Sequence, residues 1–475
     1  MINWFGRNKP EHPLADSRKV NELVASLPTH DGVQALEEIA KWLDTMSGAG
    51  DLTMDPRFRN LDLLDAASSK HEHAVMQEYL GKQRQKKSYE QRLWMSAHGL
   101  WLKLGDGYLQ CLQQYDDGEG VSAQSTGSLP VIVGRAMRAL RQQLKWVLLR
   151  YGAVEPRIWE GMARLYQYAE SKSFADEAIA IFPGSSGSGT IKQEYLKALM
   201  LFASSTESLQ PASQDLAVRL VAHFGKHFVL EDGPYVGCTH WVDMAAPKAP
   251  VRMVSDIPDL PTVCFIGAGE GLHSLEQLRA HIAYTRSLPD GLDLGDQYDL
   301  DMLLSLLKHL EQDWAGKTQS RRFERRKVAT RITVVPGLHE ILRMLEFANN
   351  DSLDFTILQA AESWIVEDMS DGGYGAVIPS VAGDWVEVGS LIGVEGETFR
   401  DWRIGVIRRV TRHAQQQRVG VQTLGNAPEV LGLESRGKDA PLDLKALRAK
   451  FGTLELQNEF VESLRAKAGS PATKP

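Results

Sequence analysis

No run of apolar residues in this 475-residue chain approaches the ~18 needed to cross a bilayer; the richest, Met302 to Leu310, is short and broken by Lys308. Met1 to Leu14 has no apolar core behind a basic start, so no secretory signal is expected. Cysteine is scarce. Cys111, Cys238 and Cys264 lie far apart with no CxxC spacing, which argues against a zinc site and a disulfide framework. Excess positive charge is also missing: 53 Lys and Arg against 61 Asp and Glu give a net charge of −8. An acidic chain of this kind is not expected to coat DNA or RNA. No Ser/His/Asp or Cys/His set can be assembled. The histidines of His71-Glu72-His73 diverge by about 200° on a helix of 3.6 residues per turn. Pro183 to Thr190 is glycine- and serine-rich but lacks the lysine of a P-loop, and reads as a linker capped by Thr190. These absences lead to the expectation of a cytoplasmic protein that is not an enzyme, with no membrane span, metal or cofactor.

Hydrophobic residues at 43% and charged residues at 24% are ordinary for a globular chain. The first half has apolar residues three and four apart, predicting helices over Val20 to Leu27, Gly32 to Met46, His71 to Gln114, Pro130 to Tyr151 and Arg157 to Tyr168. Trp159-x-x-Met162-Ala163-x-x-Tyr166, followed by Ala175, resembles the start of one tetratricopeptide repeat; no second copy follows, and an amphipathic helix pair is the preferred reading. From Phe228 to Ile266 short apolar runs (Tyr235-Val236, Val251 to Val254, Val263 to Ile266) predict extended segments. Leu272 to Leu288 and Leu300 to Trp314 return to helical spacing. Alternating segments follow at Ile332 to Val335, Ser363 to Val366, Tyr374 to Ile378, Trp385 to Val388, Trp402 to Val410 and Arg418 to Val421, separated by turn residues such as Asp371-Gly372-Gly373. The expected fold class is multidomain α+β: a mostly α-helical N-terminal half (1–228, an interaction domain for a protein partner), a small mixed middle region (229–315), a C-terminal antiparallel β-barrel (316–435), and a helix with a flexible tail (436–475).

Charge is concentrated at one place. Lys317 to Arg331 holds seven basic residues against the single acid Glu324, which suits a small anionic ligand better than a long polymer. Within it stands Arg322-x-x-x-Arg326, and later Asp368-x-Ser370-x-x-Gly373. With Trp402 to Val410 and Arg418 to Gln422 as a closing strand pair, the segment from about Gln319 to Leu431 resembles the PilZ domain, a bacterial receptor for cyclic di-GMP. The resemblance implies a cyclic di-GMP-binding, signal-transducing effector, with Arg322, Arg326, Asp368, Ser370 and Gly373 as binding positions. Arg321 and Arg325 meet the same spacing one residue earlier, so either register is open. A guanidinium can bridge guanine O6 and N7, stack on a purine or pair with a phosphate. Asp368 would accept from a guanine N–H or hold an arginine, Ser370 offers a hydroxyl, and Gly373 permits a positive-φ turn.

Between the two motifs lies a longer stretch than the family carries, and Gly337 to Ala348 within it is helical in pattern. Such a helix could cap the ligand site or contact the N-terminal half. Self-repulsion in the basic stretch should keep residues 316–328 extended until a ligand draws them onto the barrel. The alternatives are a scaffold whose barrel binds no nucleotide, and a dinucleotide-dependent enzyme using Gly267-x-Gly269-x-Gly271.

Overall fold

Asp31, Thr190 and Asp299 each start a helix in the computed structural model by accepting a hydrogen bond from the backbone N–H three residues on, that of Gln34 at 2.9 Å, Gln193 at 3.1 Å and Met302 at 2.7 Å. The structure describes residues 14, 17–50, 52–81, 86–119, 123–184, 187–254, 257–292, 294–295, 298–317, 323–348, 361–379, 385–396, 399–426 and 428. The helix expected beyond residue 436 lies outside them. The chain divides into two units, Met1–Thr206 with Pro211–Gln319 and Glu207–Gln210 with Ser320–Pro475.

Among the described residues the first unit opens with eight α-helices: α1 (Ser17–Ser26), α2 (Gly32–Ser47), α3 (Met54–Tyr79), α4 (Lys87–Asp116), α5 (Ala123–Leu149), α6 (Pro156–Ser171), α7 (Ile191–Ala203) and α8 (Pro211–Phe224). The long helix expected over His71 to Gln114 is two. The N–H of Gly81 turns back to Glu78 O, closing the last turn of α3 at a residue of poor helix propensity, and Lys86 restarts the chain from an extended conformation. Pro130 does not begin α5 but lies inside it, where its missing N–H removes one bond near the helix start. Ala175 falls in a loop, so the tetratricopeptide pattern does not continue into a second helix.

The polar positions of α5 are the main departure from amphipathic expectation. Arg135, Arg138, Arg141 and Lys145 recur at helical spacing, yet all four are buried among apolar neighbours such as Ala136, Met137 and Leu144. Acids from three other helices meet them. Arg135 and Arg138 pair with Asp62 and Asp65 of α3; Arg141 Nε lies 2.8 Å from Glu194 Oε2 of α7; and Lys145 Nζ lies 2.9 Å from Asp215 Oδ1 of α8. Tyr108 of α4 donates to Asp65 at 2.6 Å, and the Arg138 guanidinium sits over the Trp101 ring. A helix buried all round can carry charge only if every charge is answered.

A four-stranded antiparallel sheet follows, in the order β1-β4-β2-β3, from β1 (Val229–Glu231), β2 (His240–Asp243), β3 (Val251–Arg252) and β4 (Val263–Gly267). Tyr235 and Val236 are in the β1–β2 loop instead of a strand, with Val236 fully exposed. Helices α9 (Glu270–Thr285) and α10 (Leu300–Trp314) complete this unit.

The second unit is a closed six-stranded barrel, every pairing antiparallel, in the order β10-β7-β6-β5-β8-β9. Its strands are β5 (Arg326–Pro336), β6 (Glu362–Ser370), β7 (Gly373–Pro379), β8 (Leu391–Gly396), β9 (Phe399–Arg412) and β10 (Gln416–Asn426), with α11 (Gly337–Ala348) inserted after β5. The whole chain is therefore multidomain α+β. Alternating residues such as Trp364, Val366, Tyr374, Ala376 and Ile378 fill the interior. Trp385 to Val388 is not a strand. Val386 is buried, but its carbonyl accepts from Arg412 Nη2 at 3.0 Å, while the Trp385 ring stacks on Trp364 and donates to Glu362 at 2.9 Å. The strand that closes the barrel at this point is β8. On its outer face α11 packs Ile341, Met344 and Leu345 against Val335, Leu391, Trp402 and Ile404. Gly393 leaves room for it, since a Cβ there would meet Val335, Ile341 and Met344. The inserted helix therefore covers the β5–β8–β9 wall and leaves the β6–β7–β10 wall outside its cover.

Candidate functional site

Alternation along β6 by itself would turn Asp368 inward, because Trp364 and Val366 already point into the barrel. A bulge intervenes. The register with β7 shifts between Val366 and Asp368, so Glu367 is the extra residue and Asp368 faces outward opposite Gly375. Ser370, two residues on, shares that outer face opposite Gly373. A matching shift on β5, between Lys327 and Thr330, sets Lys327 opposite Asp368.

These pairings assemble a cross-strand row on the outer wall: Lys327 (β5), Asp368 (β6), Gly375 (β7), Gly420 (β10) and Arg409 (β9). A neighbouring row holds Ile365, Val377 and Arg418. No side chain rises from Gly375 or Gly420 in the middle of the wall, although the Asp368 carboxylate reaches over Gly375; the half-exposed Ile365 stands beside them, between charged edges. Gly375 is required by Asp368, whose carboxylate oxygens lie 2.7 and 2.8 Å from where a Cβ would stand.

Of the arginines taken from the sequence, Arg325 reaches the aspartate: its Nη1 ion-pairs with Asp368 Oδ1, both side chains about one-third exposed. Arg326 opens β5 opposite Met369 and is exposed. Arg321 and Arg322 lie outside the described residues. Residues 323–325 are not held off the barrel by mutual repulsion as the sequence suggested. Besides the Arg325 pair, the Phe323 ring occupies the space a Cβ on Gly372 would take, clasping the β6–β7 turn. Ser370 Oγ stands 3.5 Å from the Gly373 carbonyl, longer than an ordinary O–H···O bond.

Gly373 has the positive φ that its motif implied, 156°, and it also serves the packing of two strands. It is the first residue of β7, past the Asp371-Gly372 turn, and a Cβ on it would overlap the Val421 carbonyl oxygen of β10. Its lack of a side chain serves the close approach of two strands. Gly373→Ala should therefore destabilise the barrel by about 1–3 kcal/mol, read as a lower melting temperature without any ligand added. Unchanged melting would refute the packing role.

Sequence reasoning missed Lys327, Glu367, Gly375, Arg418 and Gly420. Arg418 and Gly420 were visible as part of a closing strand, but only the register tells which residues they neighbour. Elsewhere, Gly267 and Gly269 are also structural. A Cβ on either would run into the chain's own backbone, at the Gly237 and His227 carbonyl oxygens respectively, and the strand feeding this turn is antiparallel to both of its neighbours. The adjoining cavity is lined by Glu231 and Glu270 and by no basic side chain. His71 is buried while His73 is exposed, and among the described residues no group of three His, Cys, Asp or Glu could hold a metal ion. No described helix is long and apolar enough to cross a membrane.

No curated protein matches the chain. Residues 18–234, the segment carrying α1 to α8 and β1 and one that the sequence reading assigned to no family, match the family model described as cyclic-di-GMP receptor FimW, N-terminal domain.

Proposed function

We propose that this chain is a cyclic di-GMP receptor whose binding surface is the outer wall formed by β5, β6, β7 and β10, in a barrel of the PilZ type. The observation that carries the reading is the Arg325–Asp368 pair. It joins the arginine motif to the Asp-x-Ser motif on one exposed wall, with Ser370 beside it and a floor from which Gly375 and Gly420 raise no side chain of their own. A flat guanine can lie on such a floor, and its O6 and N7 acceptors and the two phosphates call for guanidinium partners. The family matched by residues 18–234 is a receptor for the same nucleotide by its description, which supports this ligand over other anions. Of the two arginine registers, the one containing Arg321 and Arg325 is favoured, because Arg325 already meets the aspartate.

The protein acts by binding, with no chemistry, in the cytoplasm. The helical unit docks a protein partner, and residues 316–328 transmit occupancy of the wall as Arg325 exchanges the Asp368 carboxylate for the ligand. A ligand can drive that exchange only through a difference in affinity between two arrangements. Calorimetric titration of the full chain with cyclic di-GMP tests the reading. Saturable heat at micromolar ligand is expected, and absence of both heat and thermal stabilisation at tens of micromolar would refute it.

A further inference from the structure

Arg418 belongs to neither sequence motif, yet its guanidinium lies across the middle of the wall. It starts from β10, opposite Val377 of β7, and its Nη2 stands 3.8 Å from Glu367 Oε2 on β6. Spanning from β10 to β6 means crossing β7, a distance of about two strand spacings, roughly 10 Å. Glu367 is available as a partner because it is the extra residue of the β6 bulge. The pair is more than half exposed on both sides, 58% and 51%, so it is an ion pair that water and salt weaken and a better anion can displace.

We propose that Arg418 is an additional anion-binding residue of the wall, and that Glu367 is a built-in competitor holding the guanidinium until a phosphate of cyclic di-GMP takes it. This deepens the receptor reading and rests on it. A cyclic dinucleotide carries two phosphates on opposite sides of one ring, and a site with cations on one edge only leaves the second phosphate unanswered. On this wall Arg325 and Lys327 stand at the β5–β6 edge and Arg418 at the β10 edge, with the bare backbone of Gly375 and Gly420 between. The β6 bulge thus does two things at once: it turns Asp368 outward toward Arg325, and it sets Glu367 against Arg418.

Substitution of the two residues separately and together gives opposite signs, which a merely structural role would not. With the full chain and cyclic di-GMP as titrant, Arg418→Ala should weaken binding about tenfold, the loss of a charge-assisted contact. Glu367→Gln should tighten it by about two- to fivefold, the release of an exposed ion pair. In the Arg418→Ala background the Glu367→Gln gain should vanish, since the competitor then has nothing to hold. Melting temperatures of all three variants should match the wild type, both side chains being exposed. Wild-type affinity in Arg418→Ala overturns the assignment of Arg418. A Glu367→Gln gain that is absent, or equal in both backgrounds, overturns the competition. A wild-type chain that binds no cyclic di-GMP overturns the receptor reading itself, and that failure is seen before any variant is made.

Discussion

Glu194→Ala should lower the unfolding free energy of the helical unit by about 3–5 kcal/mol, the cost of removing one member of a buried ion cluster. Glu194 is 1% exposed and accepts from Arg141 at 2.8 Å and Lys197 at 2.7 Å, so its loss strands two cations in an apolar interior. Urea unfolding followed by far-ultraviolet dichroism measures this, and a change under 1 kcal/mol would refute it. The same cluster sets an acid limit. Burial pushes the Glu194 carboxyl up, but Arg141 and Lys197 outweigh it and hold the group at about 2, below its usual 4.5. Asp215 is likewise held at about 2 against burial, by Lys145, a Tyr298 hydrogen bond and Arg219. With folded values below unfolded ones, this stabilisation is complete above pH 4.5 and is lost as pH falls towards 2. His240 acts earlier and in the opposite chemical sense. Burial lowers it from 6.5 to about 4, so below pH 6.5 the unfolded chain gains a proton that the folded chain refuses. His71, His98 and His223 are lowered by burial in the same direction. Melting temperature should therefore fall in two stages on acidification, first between pH 6.5 and 4 and then below 4.5. A single late stage would show that the histidines do not contribute.

Arg325→Ala should weaken cyclic di-GMP binding by roughly 10- to 150-fold, equivalent to about 1.5–3 kcal/mol for a charged hydrogen bond. The ligand loses the guanidinium that it takes over from Asp368. Arg326→Ala should cost less than about fivefold, as befits an exposed charge with no partner in the motif. Titration calorimetry on both variants decides between the two arginine registers, and a larger loss at Arg326 would restore the other register. Because Arg325 and Asp368 are both partly exposed, neither substitution should shift the melting temperature appreciably.

The bounds of several elements were legible from residues alone. Helix α10 runs over Leu300–Trp314 and α11 over Gly337–Ala348, as their periodicity requires, and α2 starts behind Asp31 because a carboxylate there can satisfy an orphan N–H. Such signals are local: a cap, a repeat of 3.6 or 2, a turn dipeptide. The β6–β7 hairpin around Asp371-Gly372 was legible for the same reason. Helical spacing puts the cations of α5 on one face but does not supply their partners; they are buried because the acids that make burial tolerable come from α3, α7 and α8. The resemblance to a nucleotide-binding barrel rested on two short motifs and a closing strand pair in a fixed order along the chain, from about Gln319 to Leu431.

Residue pattern alone divides the chain into a helical part and a strand-rich part, places most helices, and supplies the two motifs that nominate a site. Tertiary structure decided which way those motifs face and what stands beside them. The β6 bulge reverses the parity of every residue after Val366, so Asp368 points out where strict alternation would point it in. Closure of the barrel then brings β10 beside β7 and sets Gly420 against Gly375 and Arg418 within reach of Glu367. The same closure sets Gly373 against the Val421 backbone, 48 residues further along the chain, a contact that no local motif announces. Alternation and spacing are properties of one strand, whereas register and bulges arise only when strands pair, and side chains from distant parts of the chain become neighbours only then.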